Sequence, residues 1–162
     1  MKQERVVIEN VNPQLQCGAY YIKRVVGETV IVHADVLGDG HDVIQAEVAY
    51  KHESEKSFTR LRMEHLGNDV HRANFAVEKQ GYYEYKVEGW VDNPLNWQHG
   101  IEAKLKDGQV VTSELLDGVQ YLKALQKKVK GKEKDYISDL IAAFQDMEKY
   151  DAAAKEAISK KL

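Results

Sequence analysis

Apolar and polar residues alternate along the first half of the chain and follow a helical period along the second half. Alternation at every second position indicates half-buried β-strands, because successive side chains of a strand point to opposite faces. Turn formers such as Gly38-Asp39-Gly40 and Gly67-Asn68-Asp69 separate the alternating segments. The predicted strands cover residues 5–11, 28–37, 43–52, 58–64, 70–77 and 82–91. Since no crossover long enough for a helix separates them, the pattern predicts an antiparallel β-sandwich over residues 1–92.

The pattern becomes helical after the last predicted strand, and Asn93-Pro94 provides the start of a helix. Asn is a favoured N-cap residue, and Pro suits the first helical position because its fixed φ is already helical. Trp97, Ile101 and Leu105 then fall on one face of the helix, and Gly108 is a typical residue after a helix end.

Two further helices are predicted, over residues 113–130 and from residue 133 to the end of the chain. The short polar link between them predicts an antiparallel pair. The apolar face of the last helix consists of Tyr136, Ile137, Leu140, Ile141, Phe144, Met147 and Tyr150. Residues 93–162 are therefore predicted to form a helical bundle. Because residues 152–162 contain no helix-stopping residue, we expect this bundle to be truncated at its C-terminal end within a longer protein.

Both tryptophans of the chain lie where the pattern changes. Strand alternation places Tyr83 and Tyr85 on the apolar face of the last strand and Trp90 on the opposite face. Burying one indole removes about 150–250 Å² from water, worth roughly 4–6 kcal/mol as an upper estimate. We therefore expect Trp90 and Trp97 to anchor the helices to the sandwich. The alternative is that these rings and the two tyrosines stack on sugar rings. The stretch 81–85 also fits a tyrosine corner, in which a phenol bonds back to the backbone.

Composition and charge exclude several classes of partner. The formal net charge of -3 provides no long-range attraction for a polyanion, so nucleic acid is not an expected partner. The sequence contains neither a long apolar run nor a signal peptide, so no membrane role is expected. Cys17 is the only cysteine, which does not favour secretion. These features together predict a cytoplasmic protein of one ordinary domain or a domain with an appendage.

Catalytic motifs are not recognisable in the sequence. The stretch 38–43 has Val where a dinucleotide fingerprint requires its third Gly, and no Gly-x-Ser-x-Gly elbow occurs. The histidines are scattered without the paired spacing of a metal site. Asp39-Gly40-His41-Asp42 could bind a cation or a sugar hydroxyl, but we interpret it as a hairpin-type turn in which Gly40 supplies a positive φ. No catalytic, cofactor-binding or metal-binding residue is assigned, and no cofactor is expected.

Several motifs follow one another in a recognisable order: Arg5–Val11 with Pro13, Lys23–Glu28, Ala34-Asp35, Asp39–Asp42, Leu66–Asp69, Gly81–Tyr85, Trp90–Asp92 and Trp97. This order resembles the N-terminal region of bacterial α-1,4-glucan:maltose-1-phosphate maltosyltransferases, over about residues 4–120. The resemblance implies a retaining glycosyltransferase of the α-amylase superfamily, which makes a glycogen-like α-glucan by moving maltosyl from α-maltose 1-phosphate. Its catalytic (β/α)₈ barrel takes about 250 residues, so this chain cannot contain it.

The resemblance also implies what this part of such an enzyme does. In the family, the N-terminal part is an immunoglobulin-like sandwich with an inserted helical unit, both are associated with a homodimer, and a last sandwich strand follows the helices. We therefore expect a noncatalytic scaffold and dimerisation region that is inactive alone and whose partner is the catalytic barrel of the same parent chain. The alternatives are a carbohydrate-binding module for α-glucan and a free-standing interaction protein.

Overall fold

The computed structural model describes residues 6–146, 148 and 150–159, which divide into two compact units between Asp92 and Asn93. Arg5, the first residue of the first predicted strand, lies outside the described residues. The described part of the first unit contains seven strands: β1 (Val6–Asn12), β2 (Thr29–Gly38), β3 (Ile44–His52), β4 (Thr59–Arg62), β5 (Glu64–Gly67), β6 (Val70–Ala76) and β7 (Tyr83–Val91).

The strands form two antiparallel sheets, as the alternating pattern predicts. One sheet has the order β1-β2-β6-β5 and the other the order β4-β3-β7. Their inward-facing residues pack into one apolar core, to which β2 contributes Val30, Val32, Ala34 and Val36 at every second position. On β2 and β6 the period of two in the sequence therefore corresponds to one buried face and one outward face.

The prediction of a single strand over residues 58–64 is wrong, because the chain changes sheet at Met63. β4, before this residue, pairs with β3, and β5, after it, pairs with β6. Met63 is only 4% exposed, and its N–H donates to the carbonyl of Ala46 at 2.9 Å. Alternation alone cannot show this change, since the side-chain pattern continues through Met63 while the hydrogen-bonding partner of the strand changes. The unit therefore has seven described strands rather than the predicted six.

Four helices follow in the described part of the second unit: α1 (Asn93–Lys106), α2 (Thr112–Gln126), α3 (Lys132–Gln145) and α4 (Tyr150–Ala157). The first begins at Asn93, as predicted. Helices α2 and α3 pack against each other, and Gln126 donates to Ser138 at 2.8 Å across the pair. The buried core of this unit includes Ile101, Val111, Leu115, Val119, Leu122, Ile137, Leu140 and Phe144. None of the described helices has the length and apolar character that a membrane crossing requires.

The prediction of one continuous helix from residue 133 onward is also wrong. Asp146 has extended backbone angles, φ −97° and ψ 106°, and its Oδ1 accepts the N–H of Glu148 at 3.0 Å. A short acidic side chain can bond nearby backbone in this way and so competes with the helical hydrogen-bond pattern. Met147, predicted for the apolar face, lies outside the described residues. The break lets α4 fold back, which buries Ala153, Ala154 and Ala157.

Candidate functional site

Tyr83 forms the tyrosine corner that the sequence predicts. Its phenol oxygen accepts the backbone N–H groups of Glu78 at 3.2 Å and of Lys79 at 3.1 Å. Its ring packs on the sandwich core, with the centroid 6.3 Å from that of Phe75. The hydroxyl therefore ties the loop between β6 and β7 to β7.

Tyr85 lies two residues further along the same face of β7. Its hydroxyl donates to the carbonyl oxygen of Pro13, and its ring centroid is 6.2 Å from that of Phe75. Burial raises the pKa of the Tyr85 phenol above its ordinary value, so it stays protonated and keeps donating this bond. Phe75 also stacks on Tyr50 at 4.2 Å. Both β7 tyrosines are consequently committed to contacts within the sandwich.

Trp90 lies on the opposite face of β7, as alternation predicts. The guanidinium of Arg62, on β4, lies 4.7 Å from the centre of the indole. This distance is typical of a cation–π contact. Arg62 also donates to Oε1 of Gln45, on β3, at 3.3 Å. The side chain of Arg62 thereby covers one face of the half-buried indole.

Several charged side chains lie on this outward face of the three-stranded sheet. Arg60 on β4 forms ion pairs with both Glu47 on β3 and Glu88 on β7, and Lys86 also contacts Glu88. Hydrogen bonds from Arg60 and then Lys86 lower the pKa of Glu88 to about 2. Because each acid on this face has a basic neighbour, the face is a paired ladder and not a patch of one charge.

Trp97 is held inside the helical unit by three kinds of contact. Its indole N–H donates to the carbonyl oxygen of Glu114 at 2.6 Å. The ring lies 6.1 Å from Tyr121 and 6.0 Å from Phe144, measured between centroids. It also lies so close to Gly118 that a Cβ at that position would be 2.1 Å from Cζ2 of the indole. The glycine is required because the ring occupies the volume of a side chain on α2.

A mainly apolar groove of about 250 Å³ lies beside Trp97 in the helical unit. Pro94 and Gln98 of α1 line one part of it, and Tyr121, Leu125 and Lys128 line another. Because the indole N–H already donates to the backbone, the groove contains few groups that could orient a polar ligand.

The structure therefore places the four candidate residues in three settings. Tyr83 and Tyr85 come together on the sandwich core, Trp90 lies on the outward face of the same strand, and Trp97 lies among the helices. Trp90 is covered by Arg62 of its own sheet, and Trp97 packs against side chains of the helical unit. The joint role of the two tryptophans as an anchor stays a prediction.

The acidic stretch before β3 adopts the turn that the sequence suggests. Gly40 has a φ of +74°, the left-handed conformation that glycine adopts without strain. The turn is not a hairpin, however, because β2 and β3 belong to different sheets. Within the described residues, no group of three or more His, Cys, Asp or Glu side chains is arranged to hold a metal ion.

Two histidines to which the sequence assigns no functional role are buried. His52 accepts the N–H of Ser54 through Nδ1 at 3.2 Å, so its Nε2–H donates to the carbonyl of Gln80 at 3.1 Å. A Cβ on Gly81 would approach this ring to 2.5 Å. His71 is 3% exposed and bonds the carbonyl of Asp69. The sequence signal for their burial is that both lie at inward-facing positions of the alternating pattern, on β3 and β6, and inward positions of a sandwich strand are buried.

Comparison with known proteins shows the same family along nearly the whole chain. Residues 4–162 match the family model described as alpha-1,4-glucan:maltose-1-phosphate maltosyltransferase, domain N/S. Curated relatives called alpha-1,4-glucan:maltose-1-phosphate maltosyltransferase include one from Methylacidiphilum infernorum, 38% identical over 120 residues, which are 74% of this chain and 18% of the relative. A relative from Chlorobaculum tepidum is 40% identical over 116 residues, 72% of this chain and 17% of the relative.

A third relative, from Salinibacter ruber, is 33% identical over 145 residues, 88% of this chain and 22% of the relative. The chain thus spans about a fifth of the length of these relatives. The resemblance recognised from the motifs is confirmed, and the match continues through the helices. The chain belongs to the alpha-1,4-glucan:maltose-1-phosphate maltosyltransferase family and corresponds to its domain N/S.

Proposed function

We propose that this chain is a noncatalytic scaffold region of a maltosyltransferase that extends α-1,4-glucans from α-maltose 1-phosphate. In this proposal its partner is a catalytic barrel in the same parent chain, and it takes part in a homodimer of the parent enzyme. The names of the relatives and the small share of their length that this chain covers support the first part. The homodimer and a cytoplasmic location are predictions from the sequence and the resemblance.

The observation that carries the scaffold proposal is the use of the candidate side chains in structural contacts. The hydroxyls of Tyr83 and Tyr85 bond the backbone of other segments, and the indole N–H of Trp97 bonds the backbone of α2. A residue that performs chemistry needs an atom that can reach a substrate. Groups engaged in this way stabilise the fold that carries them and supply no such atom.

The direct test is an activity assay on this chain. We expect no transfer of maltosyl from α-maltose 1-phosphate to maltohexaose, because the working carboxylates of such an enzyme are expected on the barrel. Transfer by this chain alone would overturn the proposal. Sedimentation velocity over a range of concentrations tests the homodimer, for which we expect two associated copies of the parent enzyme. A monomer at every concentration, for this chain and for the parent enzyme, removes the dimer from the proposal.

We also propose that the first unit is an immunoglobulin-like domain that receives one more strand. The orders β1-β2-β6-β5 and β4-β3-β7 match the A-B-E-D sheet and the C-F pairing of such domains. In the described part of the chain, β7 is an outer strand of its sheet, at the position where the last strand of these domains pairs. The backbone amides on the edge of β7 that faces away from β3 should therefore exchange with deuterium quickly in this chain and slowly in the parent enzyme. Equal exchange in both proteins contradicts the added strand.

We propose separately that the two units are domains and that Trp90 and Trp97 together anchor one to the other. It is tested by a double-mutant cycle of unfolding free energy with Trp90→Ala and Trp97→Ala. An anchor that uses both rings predicts a coupling above about 0.5 kcal/mol, whereas independent sites are additive within that margin. Additivity would restrict each tryptophan to a role within its own unit.

Glucan binding is a second candidate function, favoured by one exposed aromatic pair. Tyr21 and Tyr82 are 78% and 61% exposed, and their ring centroids are 5.1 Å apart. Exposed aromatic faces are what sugar-stacking sites offer, in contrast to the committed rings of β7. Calorimetric titration with maltoheptaose tests this function. Saturable heat that is lost in Tyr21→Ala, and kept in the control Tyr136→Ala in the helical unit, would support it, and the absence of heat would exclude it.

A further inference from the structure

Two histidines face each other across neighbouring strands of the four-stranded sheet. His65 on β5 and His71 on β6 are direct partners in the antiparallel register, and their ring centroids are 4.9 Å apart. Both rings line a cavity of about 180 Å³, together with Asp42 and Asp69. The scaffold role proposed above uses none of these side chains, so a separate explanation is needed.

The tautomer of His71 is determined by its surroundings. Its Nδ1 lies 2.9 Å from the carbonyl oxygen of Asp69, which can only accept a hydrogen bond. Nδ1 therefore carries the proton, and Nε2 of the neutral ring keeps its lone pair. The same carbonyl accepts the N–H of Val36 at 2.9 Å, which helps to fix its direction. A histidine that donates one ring N–H to a backbone carbonyl is the usual arrangement behind a metal ligand, because it orients the ring and increases its basicity.

The spacing of the two rings also fits a shared metal ion. A zinc-to-nitrogen distance of about 2.0–2.1 Å puts the centre of a ligating imidazole about 3.2 Å from the ion. Two such rings with centroids 4.9 Å apart subtend an angle of about 100° at the ion, which is close to the angles of tetrahedral coordination. The cavity has room for an ion and bound water, since one water occupies about 30 Å³ in the liquid.

We propose that His65 and His71 bind one divalent transition-metal ion, with water or an external ligand in the remaining positions. Imidazole nitrogen favours Ni²⁺, Cu²⁺ and Zn²⁺ over Mg²⁺ and Ca²⁺. Asp69 also lines the cavity, and an acidic residue in the lining makes it more favourable for a cation. Because no third protein ligand converges on the pair within the described residues, this is an open site with two protein ligands.

The test is calorimetric titration of the full chain, free of any affinity tag, with NiCl₂ and separately with ZnCl₂. We expect one equivalent of metal ion to bind at about pH 7.5. Removal of a residue that supports a metal ligand typically lowers the metal affinity by about tenfold or more. Replacement of a ligand itself should therefore lower the affinity by at least that factor. His65→Gln is the principal variant, since His65 is exposed and its replacement should not disturb the core.

Three controls make the result decisive. His41→Gln changes an exposed histidine that does not line the cavity, and it should bind metal like the unchanged protein. His71→Gln should also lose binding, with circular dichroism showing that this variant is folded. MgCl₂ should give no saturable heat. The proposal is overturned if neither Ni²⁺ nor Zn²⁺ gives saturable binding, or if binding persists with unchanged affinity in His65→Gln.

Discussion

Replacement of Gly118 by alanine tests how Trp97 is held in the helical unit. Gly118 lies within α2 and is buried. An added Cβ would be 2.1 Å from Cζ2 of the indole and 2.8 Å from both Cε2 and Cη2. Carbon atoms in contact prefer about 3.5–4.0 Å, so the ring would have to move by more than about 1 Å. Such a movement would also stretch the hydrogen bond from the indole N–H to Glu114.

The balance of effects predicts a loss of stability. Alanine in place of glycine in a helix favours folding by up to about 1 kcal/mol. Overpacking typically costs about 1–3 kcal/mol, and the upper part of that range applies because the indole is rigid. A weakened hydrogen bond costs roughly 0.5–1.5 kcal/mol more. We therefore expect Gly118→Ala to lower the unfolding free energy by about 2 kcal/mol.

Gly100 provides a matched control, because it is a glycine of α1 whose added Cβ would meet no atom within 4 Å. Gly100→Ala should raise the unfolding free energy by about 0.5–1 kcal/mol, since only helix propensity changes. Urea unfolding is followed by circular dichroism and by the fluorescence of Trp97 in a Trp90→Phe background. The two alanine variants should then differ by about 3 kcal/mol.

The reasoning is refuted if Gly118→Ala is as stable as Gly100→Ala. A second variant identifies the cause of any loss. In a Trp97→Leu background the indole is absent, so the penalty of Gly118→Ala should fall below about 1 kcal/mol through the coupling expected of contacting residues. An unchanged penalty in that background would show that a contact other than the indole is responsible.

Two further predictions concern the sandwich. Tyr83→Phe removes the acceptor of two backbone N–H groups and should lower the unfolding free energy, measured by urea titration, by about 1 kcal/mol. The control Tyr82→Phe changes an exposed ring and should alter the unfolding free energy by less than about 0.5 kcal/mol. Equal effects of the two variants would contradict the tyrosine corner. The pKa of Glu88 is lowered from 4.5 to about 2 by Arg60 and then Lys86. Because the folded-state pKa is the lower one, the stability difference between the protein and Glu88→Gln should be complete above pH 4.5 and disappear as the pH falls through about 2. Because the ion pair is exposed, this stability difference should not exceed about 1 kcal/mol. A stability difference that does not change with pH would contradict the ion-pair explanation.

Much of the local structure followed from the sequence. Period-two alternation identified the strands, and Asn93-Pro94 identified the start of α1, because both signals act over a few residues. Alternation also placed Tyr83 and Tyr85 inward and Trp90 outward correctly. The order of the motifs identified the family without any knowledge of tertiary contacts.

Other features depend on residues that are distant in the chain. Whether residues 58–64 form one strand or two is decided at Met63 by the partners β3 and β6, and alternation does not report partners. The break at Asp146 lacks a glycine or proline signal, and the burial of three alanines of α4 accompanies it.

The sequence by itself determined which segments are strands or helices, which face of each is apolar, and which family the chain resembles. Only the tertiary structure decided that Gly118 must lack a side chain and that His65 meets His71 beside a cavity. The physical reason is that periodicity and capping are properties of neighbouring residues. Close packing and the pairing of polar groups are satisfied only by residues that folding brings together.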